Sequence, residues 1–418
     1  MTSSDPVPFT PVPHRAGLYM AALQLVFTLG WTVYAIYLPR LAHDVGLPAS
    51  AVLWILMLDQ AIFTLSDFAM GVMADKVSRV VGRLGRIVAA VTLVSSLAFL
   101  LLPFVAREGT RATWLFLALV VIWAVTASAL RAPPLMLLGK YAARPAVPWL
   151  AALAMLGYGL AGAAAPYLAL MLRGLDARLP FVIASVAVVT ATLGLSAIER
   201  MLAHHPAAAP SPAAQPLAFT GAARATLLFV VAMLAFGLGF QIHFALNSPP
   251  LFLRFAPPAD LALLMPVFWV GFNLMMFPAS VVTRRLGGFA VMGFAGVIGA
   301  TALGAAQVAG GLGFLVAAQF VAGAAWGALL MSAFAAATAL GASGAEGRTL
   351  GLMFSALALA TFARIAAVAA DMKSDPLLAA ALPWLPAVAW IIAGLMLLAL
   401  IAARGRAKAA APSREAAA

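Results

Sequence analysis

The sequence predicts an all-α membrane protein with twelve transmembrane helices in two pseudo-symmetric six-helix bundles. Three observations carry this. Of 418 residues, 65% are hydrophobic and only 9% charged, with a mean hydropathy of +1.05, whereas a soluble chain carries about a quarter charged residues. The apolar residues gather into runs at or above the ~18 residues that cross a bilayer. The two halves also resemble each other: "FTLGWTVYAIYLP" from Phe27 aligns with "FGLGFQIHFALNS" from Phe236, and the same offset of 209 residues carries span two onto span eight without a gap. Weak internal symmetry of this kind marks transporters built from repeated bundles.

Taken in order, the first six spans lie near 17–38, 51–74, 87–106, 114–136, 147–172 and 179–198. The opening "MTSSDPVPFTPVPHR" is polar and proline-rich and lacks the basic start of a signal peptide, so the first apolar run is expected to be an uncleaved helix. Span two is the most unusual, because Asp59, Asp67 and Asp75 interrupt it at intervals of eight residues. At 1.5 Å per residue, Asp59 lies about 12 Å and Asp67 about 24 Å below the outer end of that helix. Ionisable groups at hydrocarbon depth face a cavity or a partner. Span four, in "SALRAPPLML", holds Arg131 near its inner end beside a proline kink; attraction of an anionic substrate is the alternative there, and snorkelling to the interface is the expected arrangement.

Between spans six and seven, "HHPAAAPSPAAQP" has the composition of a flexible linker. The expected division is therefore 1–200 for the first bundle, 201–224 for a cytoplasmic linker, and 225–418 for the second bundle with a cytoplasmic tail. The remaining spans lie near 225–246, 261–283, 289–309, 312–340, 350–370 and 382–402. Arg364 falls seven residues from the outer end of span eleven, about 10 Å deep.

With both termini inside, sixteen of the 25 Lys and Arg fall in inner segments and seven in outer loops. The net charge of +12 is thus mostly a topology signal, and nucleic acid is not an expected partner. The chain has no cysteine, which excludes disulfides and thiolate chemistry. No metal-ligand cluster, catalytic triad or paired catalytic carboxylates are evident, so neither enzyme activity nor a cofactor or metal is expected. A receptor without transport activity is a weak alternative. The absence of a G-x-x-x-x-G-K-[ST] loop argues against an ATP-driven pump.

The loop after span two, "GVMADKVSR", resembles the signature of the major facilitator superfamily, roughly G-x-x-x-D-[RK]-x-G-[RK]. Gly71, Asp75, Lys76 and Arg79 match, and Ser78 replaces the preferred glycine. Twelve spans, a central loop and the half-chain repeat extend the resemblance over nearly the whole chain. The resemblance implies alternating access, with Asp75 facing the start of the eleventh helix, here "GRTLG" with Thr349 as an N-cap, and locking the inner side. In the second half Arg284 stands where Asp75 does, which puts a matching lock against span five in doubt. Span four lacks the early arginine of proton-coupled drug exporters, and their helix-five glycine pattern appears only loosely in "GYGLAGAAAPYL".

Because helices two and eleven of the superfamily meet between the halves, Asp59 and Arg364 are candidates for an ion pair across that interface or for proton coupling; the alternative is that each faces its own bundle with a local hydroxyl or amide partner. Helices one and seven line the central cavity of the family, and the repeat matches Trp31 with Phe240, Thr32 with Gln241 and Tyr34 with His243. Trp31, Tyr34, Gln241 and His243 are therefore the candidate substrate residues, with Asn273, Trp269 and Trp326 from spans eight and ten. His243, which titrates near neutral pH when unperturbed, is the only histidine within a span.

The expected function is proton-coupled secondary transport of a small organic solute, with export as the working direction and uptake as the alternative. The expected setting is a bacterial inner membrane, with the lipid bilayer as partner, both termini in the cytoplasm and a monomeric state.

Overall fold

The computed structural model describes residues 13–78, 80–142, 144–204, 222–342 and 344–410. Most of the expected linker, 205–221, and Arg79 lie outside the described residues. Eleven helical stretches are long and apolar enough to cross a membrane. One of them, Arg83–Tyr141, has 59 residues, about 88 Å if continuous, and it breaks at Gly109, whose φ is 68°. It therefore crosses twice, and the described residues form twelve spans.

We number the spans as follows: α1 His14–Asp44, α2 Ala51–Val77, α3 Arg83–Val105, α4 residues 113–141, α5 Val147–Met171 and α6 Arg178–His204. In the second half, α7 is Ala223–Leu253, α8 Pro258–Leu286, α9 Gly288–Gln307, α10 Leu312–Leu340, α11 Glu346–Ala369 and α12 Leu385–Ala403. These match the twelve apolar runs read from sequence, because backbone groups in lipid must be satisfied within each helix.

Two spans are broken for a local reason. Helix α4 consists of Thr113–Ala127 and Ala132–Tyr141, joined by a short turn that ends at Arg131 with φ −90° and ψ −84°. Pro133 and Pro134 follow. Proline has no N–H, so Pro134 leaves the carbonyl of Leu130, four residues back, without its helical donor. The Gln24 side chain of α1 donates to that carbonyl at 3.1 Å. In α7, Pro249 and Pro250 follow a π-helical turn at His243–Asn247, a distortion of the kind that frees backbone groups and redirects side chains.

One large buried core runs through both halves, with smaller clusters within each, and the halves meet along two helix pairs. Helix α2 packs on α11, and α5 packs on α8. Glycines set the closeness of both. A Cβ at Gly71 would lie 2.2 Å from the carbonyl oxygen of Gly347, and one at Gly351 would lie 2.6 Å from the carbonyl oxygen of Asp67. On the other pair, Gly159 faces Asn273 and Gly162 faces the Trp269 ring. The α5–α8 seam is aromatic, with Trp149 and Phe277 rings 5.4 Å apart. Among the described residues Arg284 makes no ion pair there, so the second seam has no counterpart of the charged contact at the first.

Candidate functional site

Twelve crossings put the start of α1 and the end of α12 on one side. On that side Asp75, in the last turn of α2, reaches the start of α11. Its Oδ1 accepts from the Gly347 N–H at 2.6 Å and its Oδ2 from the Arg348 N–H at 2.8 Å. The first N–H groups of a helix have no partner within it and favour an anion, so the carboxylate caps α11 from another helix. Thr349 is not the N-cap expected from sequence. The helix starts earlier, at Glu346, and the Thr349 hydroxyl donates to Ala345 and, at 2.7 Å, to Ala337 of α10. Lys76 is exposed. The sequence reading missed Lys140, whose ammonium donates to the Ser78 carbonyl and ties α4 to the turn after α2. Nearby, a Cβ at Gly139 would lie 2.4 Å from the Thr338 side chain of α10, so the terminal side is closed at two places.

Between the halves, toward the middle of the helices, lies a cavity of about 110 Å³ lined by residues of both bundles. Gln24, Arg131 and Tyr158 come from the first half, and Phe240, Gln241, Trp326, Phe354 and Thr361 from the second. Phe240 and Trp326 stack at 4.7 Å with their planes 7° apart. The indole N–H of Trp326 is buried without a hydrogen-bond partner.

Arg131 is the main correction to the sequence reading. It does not snorkel to the interface. Its Nε lies 3.3 Å from Oδ2 of Asp67, which is wholly buried. Its guanidinium sits 4.9 Å from the Phe63 ring centroid and 5.4 Å from that of Phe354. The kink imposed by the two prolines turns the side chain into the protein. Removing Asp67 or Arg131 from the pair would leave an uncompensated charge at this depth, which costs ~3–5 kcal/mol.

The other two candidate charges do not pair in this state. Asp59 is fully buried and its Oδ2 accepts from the Tyr34 hydroxyl at 2.8 Å, while its Oδ1 has no partner. Arg364 donates through Nε to Gln241 Oε1 at 3.1 Å, and no carboxylate lies within 4.0 Å of it among the described residues. The three aspartates of α2 therefore have three different partners: a tyrosine, an arginine and a helix N-terminus.

Of the residues expected in the substrate site, Gln241 and Trp326 line the cavity and the others do not. Trp31 borders a separate space of about 30 Å³ within the first bundle, beside Phe27, Phe99 and Trp123. Tyr34 is buried against Trp123. His243 is also buried, and its Nε2 lies 2.9 Å from Gln319 Oε1 and 3.2 Å from the Ser248 hydroxyl. Asn273 donates to the Trp269 carbonyl of its own helix, and both Asn273 and Trp269 pack on α5 glycines.

The reason is helical phase. Gly237, Phe240 and Gln241 share the cavity face of α7, whereas His243, two residues past Gln241, is turned about 200° from it at 100° per residue. The repeat alignment identified equivalent positions without showing which face they occupy. Gln24 and Arg131 were detectable as polar groups inside apolar runs, the signal that marks function in a membrane.

No protein-family model matches the chain, and no curated protein matches it. Solved structures do resemble it. A bacterial homologue of the iron transporter ferroportin, in an outward-facing state, superposes with a TM-score of 0.70 at 15% identity, covering 92% of this chain and 98% of that one. The human organic anion transporter MFSD10 gives 0.66 at 14% identity, covering 92% and 99%. The major facilitator transporter FucP, in the outward conformation, gives 0.61 at 14%, covering 91% and 97%. These likenesses cover nearly the whole chain, and the chain has the major facilitator fold.

Proposed function

We propose that this chain, with its major facilitator fold, is a secondary active transporter that moves a small organic solute by alternating access of the central cavity. The observation that carries the reading is the combination of that cavity with the Asp75 cap. Residues of both halves line the space, and one side is closed by a charged contact that joins the halves at a helix start. Such a contact is made or lost as a unit when the halves rock, which is how alternating access works around a fixed midplane site.

With the termini in the cytoplasm, as the distribution of Lys and Arg favours, this is the state closed to the cytoplasm. The setting is a bacterial inner membrane and the working unit a monomer. The proposed bundles, 1–200 and 225–418 joined by a linker, are the two halves that move. Protons are the coupling ion. FucP and XylE, which share the fold, are described as a fucose:proton and a proton:xylose symporter, and here Asp59 offers a buried carboxylate with one oxygen unpartnered. Export is the working direction, with protons moving inward.

The test is solute flux in proteoliposomes holding the purified chain, with solutes chosen by a thermal-shift screen. An inward proton gradient should drive loaded solute in the direction opposite to the protons. Movement along with the protons reassigns the direction to uptake. Absence of flux for every solute that binds would overturn transport and leave a receptor.

A further inference from the structure

We infer that the central cavity selects a small organic anion with a short apolar body. The inference rests on the transport reading only for the anion being cargo; the binding preference stands on the charges themselves. Arg131 is the only formally charged residue among those lining the cavity. Arg364 lies one side chain away, held by Gln241, which lines the cavity. Against these two cations stands one carboxylate at the site, Asp67, bound to Arg131. The other deep carboxylate, Asp59, is held by Tyr34. The local balance is therefore one positive charge in excess, at a depth where an uncompensated charge is costly. Neutralising it favours an anion over a neutral solute, and a cationic solute is disfavoured.

The uncharged groups agree. The buried Trp326 indole N–H has no partner; an indole N–H can only donate, so this unsatisfied polar atom on a lining side chain suits an acceptor. Gln241 already offers its oxygen to Arg364, and the Gln24 amide nitrogen is taken by the Leu130 carbonyl. The remaining walls are largely apolar: the rings of Tyr158, Phe240, Trp326 and Phe354 and the side chains of Met155, Leu330 and Leu357.

The volume sets the scale. An apolar cavity of about 150 Å³ admits benzene, and this one measures about 110 Å³. The space in this state is thus smaller than one ring, and its best fit is a carboxylate or similar anion on a short apolar body. Arg131 also joins this site to the gate, because its guanidinium stacks against Phe354 of α11 while its partner Asp67 packs its backbone on Gly351 of the same helix. An anion drawing on Arg131 therefore acts at the seam that opens and closes.

The experiment is calorimetric titration of the purified full chain in detergent with a panel of small aliphatic and aromatic carboxylates, each paired with its amide, propionate against propionamide being the first pair. At least one carboxylate should bind ten times or more tighter than its amide. Arg364→Gln should weaken that carboxylate about tenfold and leave the amide unchanged. Because Arg131→Gln orphans Asp67 and destabilises the fold on that account, the charge-neutral pair Arg131→Gln with Asp67→Asn replaces it; it removes the cation that lines the cavity, keeps the excess charge of Arg364, and should weaken that carboxylate about tenfold while part of the preference remains. A panel in which no carboxylate binds, or in which carboxylates and amides bind alike, overturns the inference. Flux of neutral solutes alone would do so too while leaving transport intact, and tight carboxylate binding without flux would keep the anion site and remove transport.

Discussion

Replacing Asp75 with asparagine removes a charge at one contact and little else. In the structure the carboxylate receives two backbone N–H groups at the start of α11, at 2.6 and 2.8 Å. Hydrogen bonds to a charged group contribute ~1.5–3 kcal/mol each, and an anion at a helix start adds ~0.3–1 kcal/mol. Asparagine keeps one acceptor oxygen, and Asp75 is partly exposed, so the net loss is about 1.5–2 kcal/mol. The contact exists only when the terminal side is closed. The loss therefore falls on one conformation and shifts the equilibrium toward opening by roughly ten- to thirtyfold, at 1.4 kcal/mol per factor of ten. The chain has no cysteine, so cysteines introduced at the exposed positions Lys76 and Arg348 can carry spin labels on the two sides of the seam. Distance distributions in Asp75→Asn should gain a long component that the parent lacks, and solute flux should fall more than solute affinity. An unchanged distribution together with parental flux would refute the assignment of Asp75 as the lock.

Three other outcomes follow from the same geometry. Gly71→Val should hold α2 and α11 apart, since even a Cβ there would lie 2.2 Å from the Gly347 oxygen; overpacking costs ~1–3 kcal/mol, and the Lys76–Arg348 label pair should lengthen as it does for Asp75→Asn. His243→Ala should lower thermal stability by about 1–3 kcal/mol by leaving Gln319 and Ser248 short of a partner, with solute affinity unchanged in titration. In this state Asp59→Asn and Arg364→Gln should have additive effects on stability, within ~0.5 kcal/mol, because each has its own partner; coupling well above that in a double-mutant cycle would show that the two side chains meet.

The class of solvent, the number of crossings and their boundaries within a few residues can be read from the chain alone. Lipid leaves a spanning segment no way to satisfy its backbone except an internal helix, so an apolar run of sufficient length is already a structural element. The Asp75 contact was legible only through the resemblance of Gly71, Asp75 and Lys76 to a family signature, which implied a carboxylate facing the start of the eleventh helix. Only the tertiary structure decided the partners of the deep charges. Along one helix, Asp59, Asp67 and Asp75 look alike, and what separates them is which neighbour stands opposite: Tyr34, Arg131 or the Gly347 and Arg348 amides. The reach of Arg131 depends on a break that two prolines make in α4, and the sequence shows the prolines without showing which way the side chain then turns. The same limit displaced His243 and Tyr34 from the cavity, because the repeat fixes equivalence between positions while the face that a position presents depends on how each helix is rotated in its bundle. Rotation is set by packing against neighbours, at contacts far apart in the chain, such as Gly71 on Gly347 and Gly159 on Asn273, and no local pattern encodes it.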